Sequence, residues 1–182
     1  WDGNQNCWVD WFRFRRNVPL AVPEAAALAD AVKAVRDSSK GEYSRKGPGE
    51  AAALGRKLLE EGKKPDLEAL VRFALFSEAR DLGALGGDIG LAMDAVDEME
   101  RGWMVNGPAL KTAALAATAK AAKTPAVQRE VAEAWLKLAD DHVAAEDYEA
   151  AVAAADKAGT AAKAAHETVL SAQCQAREKE LA

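Results

Sequence analysis

Thiols and imidazoles are scarce in this chain: two cysteines, Cys7 and Cys174, and two histidines, His142 and His166, in 182 residues. No Cys-x-x-Cys occurs, and neither cysteine has a histidine beside it in sequence to activate a thiolate, so the residue pattern excludes a thiol-redox motif. A zinc or iron centre needs three or four converging ligands, which two lone histidines do not supply. Glycine is present, but Gly83, Gly86, Gly87 and Gly90 punctuate a turn and form neither a GxGxxG nor a Walker pattern. No apolar run approaches the roughly 20 residues that a membrane-spanning helix requires. A net charge of −5 and a pI near 5.2 provide no clustered cationic excess to neutralise phosphates. The sequence therefore predicts no cofactor, no metal, no catalytic residues, no nucleic-acid partner and no membrane insertion.

Aromatic residues are also few, at 6%, against 49% hydrophobic residues overall and 43 alanines. That balance favours closely approaching helices over a thick β core. The expected fold class is all-α: about seven or eight helices in antiparallel hairpins, forming an array or bundle over 24–182, with one β-strand segment at the amino end.

The most informative stretch runs from Ala132 to Gly159. Val131, Trp135, Leu138 and His142 recur at helical spacing with Ala134 and Ala139 beside them. Asp147 is a good N-cap for a second helix, on which Tyr148, Val152, Ala155 and Ala158 share a face. The small residues Ala151, Ala155 and Ala158 let two helix backbones approach closely, as an antiparallel pair requires.

Earlier segments follow the same logic. A helix is expected over 24–45 with Leu28, Val32 and Val35 inward and Gly41 as a weak point, stopped by Gly47-Pro48-Gly49. A shorter helix over 50–61 ends at Gly62. The next, expected to be capped by Asp66, ends at Gly86-Gly87, and Asp88 caps the one after. Asp88 and Asp147 hold equivalent turn positions 59 residues apart, so the span 66–101 reads as a degenerate copy of the later hairpin. GWMVNG, 102–107, is expected as a turn with Trp103 exposed. Thr124-Pro125 opens the helix carrying Trp135. The last helix is expected after Gly159-Thr160, with Ala162, Ala165, Val169, Ala172 and Ala176 inward.

The amino-terminal segment 1–16 differs from all of this. Trp8, Trp11, Phe12 and Phe14 lie in NCWVDWFRFRR, a strand-favouring run, and three of the five tryptophans fall within the first eleven residues. A lone strand must pair with something. The segment is therefore expected to be the last strand of an upstream β domain or to pair with another molecule, an aromatic tail folded onto the helices being the alternative. Residues 17–23, NVPLAVP, form an extended linker, since Pro19 and Pro23 bias their predecessors away from helix. Trp1 stands where an initiator Met would, which reads as a cut or processed end.

Trp135, Leu138 and Ala139, then Ala151 and Ala158, with Asp147-Tyr148 at the turn, resemble a tetratricopeptide repeat. His142, Ala155 and Lys163 stand where that pattern usually has an aromatic, a larger residue and the closing proline. The succession containing SEARDLGALGGDIGLAMDAVDEM and AEDYEAAV also resembles an uncharacterised helical module of large multidomain planctomycete proteins. That resemblance implies neighbouring β-sandwich domains and an extracytoplasmic location, and it carries over no catalytic residue.

The function expected is a non-catalytic helical scaffold or protein-interaction module of a larger extracytoplasmic protein, with a protein partner or self-association. The alternatives are a self-assembling subunit that lends its amino-terminal strand to a neighbour and a spacer attached to a carbohydrate-binding β-sandwich. Candidate interaction residues are Trp8, Trp11, Phe12, Phe14, Trp103 and His142. Asp141, His142 and Glu146 form an oxygen-nitrogen corner, but His142 reads first as a packing or rim residue of the hairpin. Asp94, Asp97, Glu98 and Glu100 read as a solvated helix face. An extracytoplasmic location permits a Cys7–Cys174 disulfide, although two unpaired thiols are preferred.

Overall fold

A computed structural model of the chain describes residues 18–181. The described residues are all-helical: α1 Ala25–Ser38, α2 Lys40–Tyr43, α3 Pro48–Gly62, α4 Ala69–Gly86, α5 Ile89–Gly102, α6 Gly107–Ala121, α7 Pro125–Ala144, α8 Tyr148–Ala164 and α9 Thr168–Leu181. The expected strand over 1–16, with Cys7, Trp8, Trp11, Phe12 and Phe14, lies outside the described residues.

Helix starts follow local chemistry. The side chains of Asp88, Asn106, Thr124 and Asp147 each accept a hydrogen bond from the backbone N–H three residues on, satisfying an otherwise orphaned donor. Pro48 and Pro125 sit in the first turns of α3 and α7, where a missing N–H costs nothing. Three helix ends share one turn. Gly87, Glu146 and His166 adopt positive φ of 73°, 59° and 60°. In each case that residue's N–H bonds three residues back and the next N–H bonds five back, as in Asp147 to His142 at 2.9 Å. A short connection of this kind folds the next helix straight back onto the last.

Two cores result. The first contains Leu54, Leu58, Leu59, Phe73, Phe76, Leu82, Met99 and Trp103, and α4 is its hub. This helix packs against α1, α3, α5 and α6, so Phe73 to Ala79 are buried without interruption. A stretch of helix enclosed on every side needs no polar face. The second core lies among α6 to α9 and is built mainly of alanine around Trp135, Leu115, Val131 and Cys174.

Several expectations are corrected. The helix expected over 24–45 divides at Ser39, two residues before Gly41, into α1 and the single turn α2. Pro48 begins α3 rather than lying in a breaker. Asp66 does not cap α4, whose N-cap is Glu68 without a side-chain bond. The chain stays in a turn until Leu67 has packed against the first core. The helix after Asp147 passes through Gly159-Thr160 to Ala164, because Gly159 is buried against Cys174 and ends nothing. Helix α9 thus starts at Thr168, and its register presents Leu170, Cys174 and Leu181 inward. Val169, expected inward, is 71% exposed, and Ala172 and Ala176 are exposed as well.

Trp103 is not exposed but 3% accessible. Beyond Gly102 the backbone turns extended, and Leu20 of the 17–23 segment pairs with it: Leu20 N–H donates to Gly102 O and Met104 N–H to Leu20 O, both at 2.8 Å. That pairing aims the indole inward, edge-on to Phe73 at 5.2 Å and Phe76 at 6.1 Å, with the Arg72 guanidinium 5.9 Å from the ring centroid.

Candidate docking groove

Of the candidate interaction residues, only Trp103 and His142 fall within the described part of the chain, and neither is a surface contact. Trp103 is spent in the first core. His142 is 8% exposed near the end of α7, its Nδ1 3.7 Å from the Asp147 carboxylate. Asp141 and Glu146 point to solvent beside it. Among the described residues no cluster of three or more histidine, cysteine or carboxylate groups is arranged to hold a metal. The Cys174 side chain is fully buried, and burial raises its thiol pKa. On α5 three of the four acids are tied into ion pairs: Lys111 Nζ lies 2.8 Å from Asp97 and 3.1 Å from Glu100, and Arg101 lies 2.6 Å from Glu98.

One open concavity lies elsewhere, at the seam between the two cores. A groove of about 470 Å³ is enclosed by the α2–α3 connection, the amino-terminal turns of α3, the carboxyl end of α4 and the α6–α7 connection. Its floor holds Leu54 and Leu82 from the first core and Val127 from the margin of the second. Leu85 stands on its edge, 62% exposed, a large apolar side chain that the fold leaves uncovered.

The backbone at the groove is held closely. A Cβ on Gly86 would lie 2.8 Å from Pro48 O and 2.9 Å from Ala52 N, so glycine lets the start of α3 cross the end of α4 at near contact. Gly87 supplies the positive φ that ends α4 and turns the chain.

A buried charge fixes the opposite wall. The Glu78 carboxylate on α4 is 4% exposed, and Arg36 of α1 donates to both of its oxygens at 2.8 Å. Tyr43 of α2, which lines the groove, donates its hydroxyl to Glu78 Oε2 at 2.5 Å. A forked guanidinium and a phenol together satisfy a carboxylate that would otherwise be costly to bury. Burial, and then the negative carboxylate, push the Tyr43 pKa well above its usual value. A further pair, Lys57 to Glu42 at 2.5 Å, ties α2 to α3.

Helical spacing assigns Leu54 and Leu82 to buried faces, and both are buried, but it does not bring them together with Tyr43, Leu85 or Val127. The signals available were Glu78 inside the apolar run FALFSEARDLGALG and Leu85 off the buried face of α4. The groove itself joins residues roughly 80 positions apart, from Tyr43 to Thr124, which local patterns do not reveal. No family model, curated protein or solved structure matches the chain, so the chemistry of the groove carries the functional argument.

Proposed function

We propose that this chain is a non-catalytic helical module that docks a protein partner, and that the docking surface is the groove between its two cores. The observation that carries this reading is an apolar concavity with Leu85 left exposed at its edge, while Tyr43 is pinned to Glu78 on the other side. A preformed apolar cleft loses little freedom on binding, which is what a recognition surface requires. The ion-paired carboxylates of α5 and the packed His142 support a non-catalytic role.

In the same reading the helices form a tetratricopeptide-like array of hairpins. Its support is the burial of Trp135, Leu138, Ala139, Ala151 and Ala158 between α7 and α8, and the matching turns at Asp88 and Asp147. The module belongs to a larger extracytoplasmic protein on this account. Among the described residues no helix is long and apolar enough to cross a membrane.

The test is selection of a phage-displayed random peptide library on the purified chain, with Leu85→Asp as the counter-target. Leu85 is exposed, so the variant should fold and melt as the parent does. Clones that bind the parent and not the variant are expected. Recovery of the same clones on both would remove the groove as the docking surface.

A further inference from the structure

The rim of the groove has a sign that the chain as a whole does not. The protein carries 29 acidic against 24 basic residues. At the groove, however, Arg45 and Lys46 lie on the α2–α3 connection and Lys123 on the α6–α7 connection. Among the described residues none of these three has a carboxylate within ion-pairing distance. The rim also carries two acids, fewer than its three cations. Glu42 is paired with Lys57, and Glu50 lies in the first turn of α3, where the helix dipole favours it. The amino end of α7, capped by Thr124, also lines the groove and adds partial positive charge.

Resting on the docking reading above, we propose that the groove receives an acidic segment of a protein partner. One or two apolar side chains of that segment enter between Leu54, Leu82, Leu85 and Val127, and its flanking carboxylates meet Arg45, Lys46 and Lys123. The apolar floor favours a peptide over a nucleic acid, whose phosphates would gain nothing from it. The cations are divided between two connections, which suits several carboxylates along an extended chain better than the single head of a fatty acid. Residues 1–17 are poor candidates for the occupant, because Asp2 and Asp10 are outnumbered by Arg13, Arg15 and Arg16, giving that segment the same sign as the rim.

The experiment uses the intact chain and the peptides recovered from the library, synthesised as soluble probes. Enriched sequences should carry Asp or Glu flanking one or two apolar residues. Their affinity should fall about tenfold on Lys46→Glu/Lys123→Glu, since each reversed rim charge acts with the strength of an exposed pair. It should also weaken as salt is raised. Lys33→Glu, on the exposed side of α1 and outside the groove, should leave binding unchanged. Neutral or basic peptides that bind the double variant as well as the parent, yet are lost with Leu85→Asp, would overturn the acidic partner and leave the docking reading standing. Absence of any clone that depends on Leu85 would overturn both. A concentration-dependent dimer in sedimentation that Leu85→Asp abolishes would assign the groove to a second copy and overturn the proposal.

Discussion

The first core of this protein is filled by side chains and the second by backbones. Around α4 the interior contains Phe73, Phe76, Trp103, Met99 and six leucines, and only three of its fourteen buried members are alanine. Around α7 and α8 seven of twelve are alanine. In the first case stability comes from large apolar areas removed from water, about 25 cal/mol per Å². In the second, alanine costs no side-chain entropy and allows helix axes to approach, so cohesion comes from many short backbone-level contacts. The first core should therefore be broken by removing atoms and the second by adding them. The difference also locates the groove. Where α4 and the α6–α7 connection meet, neither kind of packing is complete, and Leu85 is left without a cover.

The largest expected effect is in the first core. Phe76 is fully buried, and Phe76→Ala should cost about 3–5 kcal/mol in chemical denaturation, by transfer and cavity formation together. A loss below 1 kcal/mol would show that this core is loosely packed. The corresponding test of the second core is enlargement. Ala155 is also fully buried, and Ala155→Leu should cost about 1–3 kcal/mol or more, whereas Ala155→Gly should cost only about 1 kcal/mol. If the leucine were tolerated, the alanine-rich half would not be closely packed.

Next in size is the buried charge that sharpens the contrast, since it occurs only in the first half of the described residues. Glu78→Gln keeps the shape but loses charge-assisted bonds from Arg36 and Tyr43, and should cost about 1.5–3 kcal/mol. Its pH signature has a definite sign. The folded chain holds the Tyr43 proton more tightly than the unfolded chain, so the stability this confers is complete below the ordinary tyrosine pKa of about 10 and is lost as pH rises beyond it. Tyr43→Phe should remove that component of the alkaline decline, and identical alkaline profiles for parent and variant would contradict the assignment. The smallest effect is a gain. Glu146 adopts a left-handed conformation at the end of α7, so Glu146→Gly should raise stability by about 0.5–1 kcal/mol. The same turn at Gly87 already has its glycine.

How much of this was legible in the sequence depended on how local the cause was. The caps at Asp88, Thr124 and Asp147, and the termination at Gly86-Gly87, are decided by a few adjacent residues and were readable. The helix through Gly159 was misplaced because glycine is a stop signal only where the chain is free to turn, and here it is buried against Cys174. Trp103 sits between two glycines and reads as an exposed turn until Leu20 is seen to pair with the backbone on either side of it. Glu78, Arg36 and Tyr43 are separated by up to 42 residues, and charged residues on helices ordinarily face water, so their convergence left no periodic trace. The groove was illegible for the same reason, being formed where connections from both halves of the chain come together.

The docking groove is tested most directly by amide hydrogen exchange on the parent chain, with and without a soluble peptide recovered from the library. The account predicts added protection in Tyr43 to Ala51 and in Ala121 to Val127, the two stretches that wall the groove, with little change in α8 and α9. Protection confined to α8 and α9, with those two stretches unchanged, would contradict it.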